Sequence, residues 1–168
     1  MSYRAYVITS SDSCFAGTRE DASGPVAGDM LKEAGFELAG YALLPDERML
    51  LADRMREICD RGEADLIVTT GGTGFSQRDV TPEAALDVIE RQTPGLPELM
   101  RAESMKATPY GCLSRGTAGI RKRSLILNLP GSEKAARENL QAVLYPVRHG
   151  LKMLFADGSS DHGGAHHG

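Results

Sequence analysis

Apolar positions along the chain alternate between two periods. Arg4 to Ser10 (RAYVITS) is rich in β-branched residues and predicts a strand. A polar, turn-rich stretch follows to Gly24-Pro25, where a helix begins and runs to Ala34 before a stop at Gly35. Phe36 to Leu44 predicts a second strand, ended by Pro45-Asp46. Between Glu47 and Arg61, Leu51, Met55 and Ile58 fall on one helical stripe, and Gly62 closes that helix. Asp65 to Thr70 (DLIVTT) and Ser124 to Leu129 (SLILNL) are short apolar runs of the kind buried strands show.

The intervening segments are harder to assign. Thr81 is placed to cap a helix with Pro82 in its first turn, and that helix is expected to reach about Arg91. Thr93-Pro94-Gly95 breaks the chain, a helix is expected from Pro97 to Lys106, and residues 107–119 read as irregular. Ile120 to Arg123 is a candidate hairpin arm. Ser132 caps a helix to about Tyr145, and Pro146 is expected to begin a separate last helix ending near Phe155. Strands separated by helices imply an α/β fold: a three-layer sandwich, its sheet mostly parallel, with helices on both faces. The expected division is one domain over residues 1–156 and a flexible C-terminal tail over 157–168.

In such folds ligands bind beyond the carboxyl ends of the strands. The segments there are Ser11-Asp12-Ser13, Pro45-Asp46, Gly71 to Asp79 and Pro130-Gly131-Ser132. Gly71-Gly72-Thr73-Gly74 is the sharpest of them: such a run permits positive φ and lets successive amides form an anion-binding concavity. The same glycines equally suit a turn that only joins strand to helix. Asp46, Asp79 and Asp12 are candidate carboxylates for Mg²⁺, which takes one or two carboxylates plus waters and phosphate oxygens. Each also suits a loop or a cap. Arg78 and Arg115 are candidates to neutralise phosphate or to pair with acids on the surface.

Other chemistries lack support. A P-loop lysine is missing, and the dinucleotide fingerprint read from Gly72 meets Gln77 where glycine is required. There is no HExxH or GxSxG, and Cys14 and Cys112 have no evident histidine partner. His149 reads as structural, and His162, His166 and His167 fall in the tail. The net charge of −4 and an aromatic content of 5% disfavour a nucleic-acid surface. No apolar run approaches the roughly 20 residues that span a bilayer. With three scattered cysteines and no signal-like N-terminus, the expected location is the cytoplasm.

The run TTGGTGFSQRDVTPEA, with ITSSDS, GTREDASGP, Pro45-Asp46, LSRGTAGI and LILNLPGS in the same order, resembles the molybdopterin adenylyltransferases of molybdenum cofactor assembly. The same domain occurs as the G domain of gephyrin and in plant cofactor-biosynthesis proteins. The resemblance covers residues 4 to 155. It implies a homotrimer that transfers AMP from Mg-ATP to the terminal phosphate of molybdopterin and releases pyrophosphate. It implies catalytic and metal-binding roles for Asp79 and Asp46. It also implies substrate binding by Ser11, Asp12, Gly71, Gly72, Thr73, Gly74, Ser114, Pro130, Gly131 and Ser132. Transient contact with other molybdenum cofactor enzymes is a further expectation. Relatives often continue the LPG turn as LPGxP, and here Glu133 stands in place of that proline. The alternatives are a binding-only paralogue of the same fold and a molybdenum insertion domain.

Overall fold

Residues 1–156 are described by a computed structural model; the expected tail, 157–168, lies outside the described residues. Six strands form one sheet in the order β2-β1-β3-β6-β5-β4. They are β1 (Arg4–Ser10), β2 (Glu37–Leu44), β3 (Leu66–Thr70), β4 (Arg91–Gln92), β5 (Ala118–Arg121) and β6 (Ser124–Leu129). The four strands β2, β1, β3 and β6 pair in parallel, and β5 and β4 complete the sheet antiparallel. Ser124 to Leu129 returns beside β5 through a tight hairpin at Lys122, whose φ is +50°.

Strand alternation sorts the core into two halves. Ala5, Val7, Leu66, Val68, Leu125 and Leu127 face helices α2 (Ser23–Glu33), α5 (Gly95–Ala107) and α6 (Glu133–Phe155). Tyr6, Ile8, Ile67 and Ile126 face α3 (Arg48–Arg61) and α4 (Thr81–Leu86). The expected three-layer α/β architecture is therefore present. The stripe Leu51, Met55 and Ile58 is fully buried against the sheet, and Gly62 ends α3 in the left-handed conformation at φ +63°.

Five local expectations need correction. A one-turn helix α1, Asp12–Phe15, follows β1 where the sequence predicts a polar loop; Ser11 caps it by accepting from the Cys14 amide. Helix α2 begins at Ser23, before Gly24-Pro25. Thr81 is the first residue of α4 and not its cap: its amide donates to the Gly72 carbonyl, and α4 ends at Leu86. The chain is then drawn to the sheet edge as β4, with the Glu90 amide donating to Ile120. Pro146 does not start a new helix; α6 runs unbroken through it for 23 residues. The burial of Val143, Val147 and Leu151 on one face outweighs the hydrogen bond Pro146 cannot donate.

That missing bond sets a prediction. Pro146→Ala should stabilise the fold by about 1–3 kcal/mol, since it restores a donor in a helix interior. Thermal unfolding should show the higher midpoint; a lower one would mean the ring's own packing is worth more than the bond.

Candidate active site

The core turns polar at the carboxyl ends of the parallel strands. Thr9, Ser10, Thr69, Thr70 and Asn128 are all buried there. Buried hydroxyls need partners, and these form a relay: Ser23 donates to Thr70, Thr70 to Thr9, and Thr9 to Asp21. Tyr41 also donates to Asp21, and burial together with that carboxylate pushes the Tyr41 phenol up to about 12. The strand order reverses between β1 and β3, so their loops diverge and leave a crevice.

Two cavities open at this edge. The polar one, about 520 Å³, is lined by Ser10, Ser11, Asp21, Asp46, Gly71 and Ser132, among others. The apolar one, about 570 Å³, is lined by Thr73, Gly74, Phe75, Tyr110, Leu113 and Ser114, with Pro130 and Glu138 behind. Gly72, Asp79 and Gly131 line both, so the cavities share a wall made of the glycine loop.

The expected site residues thus converge, with one exception. Asp46, Asp79, Ser11, Gly71, Gly72, Gly131 and Ser132 meet at the polar cavity. Thr73, Gly74, Ser114 and Pro130 meet at the apolar one. Asp12 lines neither; it sits behind the wall, accepting from the Asp46 amide and from Arg78 through both carboxylate oxygens. The Arg78 guanidinium, then the Asp46 amide, hold the Asp12 carboxyl below the usual range. Arg78 also bonds Glu47, and Arg115 bonds Glu83, so both arginines pair with acids.

The two candidate carboxylates are held differently. Asp46 accepts from Ser10 Oγ at 2.6 Å and from the Asp12 amide at 2.9 Å, one bond to each oxygen. Asp79 accepts from the Ser76 amide at 2.9 Å through a single oxygen, which closes its own loop. A carboxylate has about four lone-pair positions, so both keep capacity for a further ligand. Among the described residues no three His, Cys, Asp or Glu side chains cluster as a complete metal cage. Two partly engaged carboxylates beside an open polar cavity suit a hard cation that takes its remaining oxygens from water and phosphate. The charges point the same way: Glu20, Asp21, Asp46, Asp79 and Glu133 line the polar cavity against Arg19. A polyphosphate entering there requires cations to accompany it.

The glycines have a reason inside the protein. Gly71 and Gly72 have φ of +89° and +69°. A Cβ on Gly71 would lie 2.3 Å from the Ser10 carbonyl oxygen, and one on Gly72 would lie 2.3 Å from Thr81 Oγ1. The loop is packed onto β1 and α4 as tightly as backbone allows.

Much of the apolar cavity comes from residues that the sequence pattern does not single out. Ser104 and Thr108 come from the end of α5, and Tyr110 and Leu113 from a 3-10 helix, Pro109–Leu113, within the segment that reads as irregular. Thr108 capping the Tyr110 amide, with proline next, is the available signal. Ser10 likewise reads as an ordinary strand residue, yet its hydroxyl orients Asp46.

A doubly wound sheet with a glycine wall between a polar, acid-lined cavity and an apolar one defines an α/β protein with a candidate small-molecule site at its strand ends. The chain belongs to the family described as the probable molybdopterin binding domain, which it matches over residues 6–149. It is similar to the molybdopterin adenylyltransferase of Helicobacter pylori J99, at 40% identity over 153 residues, 90% of this chain and 87% of that protein. It is 41% identical over 153 residues to the Drosophila melanogaster molybdenum cofactor synthesis protein cinnamon, covering 90% of this chain but spanning 25% of that longer protein. The crystal structure of the molybdopterin biosynthesis enzyme MoaB from Thermus thermophilus superposes with a TM-score of 0.86 at 46% identity, covering 90% and 96% of the two chains.

Proposed function

We propose that this chain is a molybdopterin adenylyltransferase, moving AMP from Mg-ATP to the terminal phosphate of molybdopterin with release of pyrophosphate. The observation that carries the reading is the shared wall. One strand-end loop, with Asp79 in it, borders a polar cavity suited to phosphates and an apolar cavity suited to a ring system. A relative of similar length at 40% identity bears that name.

The obstacle to the reaction is the approach of two polyanions. The chain's own part is to bind and aim. The amides of Gly72 to Gly74 hold the acceptor phosphate, the Gly71 amide being bonded to the Leu129 carbonyl, and Ser132 and Ser11 border the polar cavity beside Gly72. Ser10 and the Asp12 amide fix the Asp46 carboxylate, while Ser76 fixes that of Asp79. When bound by these two acids, Mg²⁺ supplies charge neutralisation and alignment of the phosphates. A phosphate monoester is mostly dianionic at neutral pH, its second pKa being about 6, so no general base is needed. That accounts for cavities with no histidine among the described residues that line them.

The assay is purified chain with molybdopterin, ATP and Mg²⁺, followed by detection of adenylylated molybdopterin. Product formation that requires all three is expected. Tight molybdopterin binding without product would identify a binding-only protein. The reading includes a homotrimer, checked by light scattering, and a cytoplasmic location. Among the described residues, no helix is long and apolar enough to cross a membrane.

A further inference from the structure

We propose that Arg115 is the positioning residue of this site: it clamps the loop that carries Asp79 at both ends and so sets where the Asp79 carboxylate stands. The inference rests on the adenylyltransferase reading, in which Asp79 works at the reacting phosphates.

Four bonds from one residue make the clamp. The Arg115 amide donates to the Thr73 carbonyl at 2.8 Å. Its Nε donates to the Gly74 carbonyl and its Nη2 to the Asp79 carbonyl, each at 2.8 Å. Its Nη1 bonds Glu83 in the first turn of α4. The loop is therefore tied at its entry, at Asp79 itself and at the helix that follows. Between these ties Phe75, Ser76, Gln77 and Arg78 are exposed. Inside the loop, the bonds between Asp79 and Ser76 shape the turn without fixing it to the rest of the protein.

Arg78 offers no comparable hold. Its pairs with Asp12 and Glu47 join side chains that are each about half exposed, and exposed pairs contribute little. The Arg115 side chain is one-third exposed, and its fork meets three acceptors that diverge in space. A planar guanidinium carries donors in those fixed directions, whereas a lysine presents one nitrogen on a flexible stem. Arg115 lines neither cavity, so its influence on the reaction passes through Asp79. A displacement of about 1 Å at a reacting group can cost about 10²-fold in rate.

The test compares the full chain with Arg115→Lys and with the double variant Arg115→Met/Glu83→Gln, which leaves no unpaired acid. Rate constants for adenylyl transfer, amide hydrogen exchange and thermal unfolding are measured for each. Both variants should lose about 10²-fold in kcat while KM for molybdopterin stays within about threefold. Exchange at residues 74–79 should quicken while exchange in β1, β3 and β6 is unchanged. The proposal is overturned if kcat per folded molecule equals that of the parent, if rate is lost only in step with unfolding, or if exchange at 74–79 is unaltered. A parent chain that makes no adenylylated product sinks the functional reading instead; the exchange measurement then still decides whether Arg115 holds the loop.

Discussion

Asp79→Asn is expected to cut adenylyl transfer by roughly 10²- to 10³-fold, the usual cost of removing one preorganised electrostatic group from a reaction of this kind. The variant is clean because asparagine keeps an acceptor oxygen for the Ser76 amide, so the turn survives. What is lost is one negative charge facing the phosphates. Molybdopterin affinity should hold, because the amides of the glycine wall remain in place. The measurement is a single-turnover rate beside a binding isotherm. Turnover at the parental rate would mean that Asp79 has no part in holding the cation. Asp46→Asn is a second probe of the same kind. Asparagine can keep its oxygen on the Asp12 amide and turn its NH2 toward Ser10 Oγ, a hydroxyl that accepts as well as donates. That variant should lose rate while stability changes little.

Such reasoning is open to the sequence only in part, and the division follows the physics. Strands β1, β2, β3 and β6 and helix α3 are legible because one buried face imposes one period on each. The convergence of Asp46, Asp79 and the glycine loop is also legible, because parallel strands bring their following turns to one edge. What escapes depends on contacts across the chain. β4 is two residues long and exists through its pairing with β5. Helix α6 continues through Pro146 because its buried face demands it. The role of Arg115 arises from acceptors 32 to 42 positions away in the chain, and no local pattern announces that. In the sequence the glycines stand out for their freedom toward a ligand, yet their nearest demand comes from Ser10 and Thr81 on their own side of the wall.

That demand leads to the second large effect. Gly72→Ala should destabilise the protein by about 3 kcal/mol, combining about 1–2 kcal/mol for a side chain at positive φ with a steric term of similar size. The new Cβ would stand 2.3 Å from Thr81 Oγ1, in a place where Thr81 is completely buried. Among the described residues Thr81 Oγ1 has no hydrogen-bond partner, so removing it sacrifices no bond there. Thr81→Ala alone should therefore cost only what the buried Cγ2 methyl is worth, about 1 kcal/mol. In the double variant the nearest remaining atom is the Thr81 Cβ at 3.2 Å, a contact that a small shift relieves. Combining the two changes should then recover about 1 kcal/mol or more, a coupling that only neighbouring residues show. Denaturant unfolding of the four proteins measures it. In a domain of this size the single change should lower the thermal midpoint by roughly 6–12 °C. Because Gly72 borders both cavities, the same substitution should weaken molybdopterin and ATP binding together, whereas simple crowding of a phosphate cradle would weaken molybdopterin alone. A Gly72→Ala protein as stable as its parent, with no coupling to Thr81, would return the glycine to the ligand and remove it from the packing of the wall.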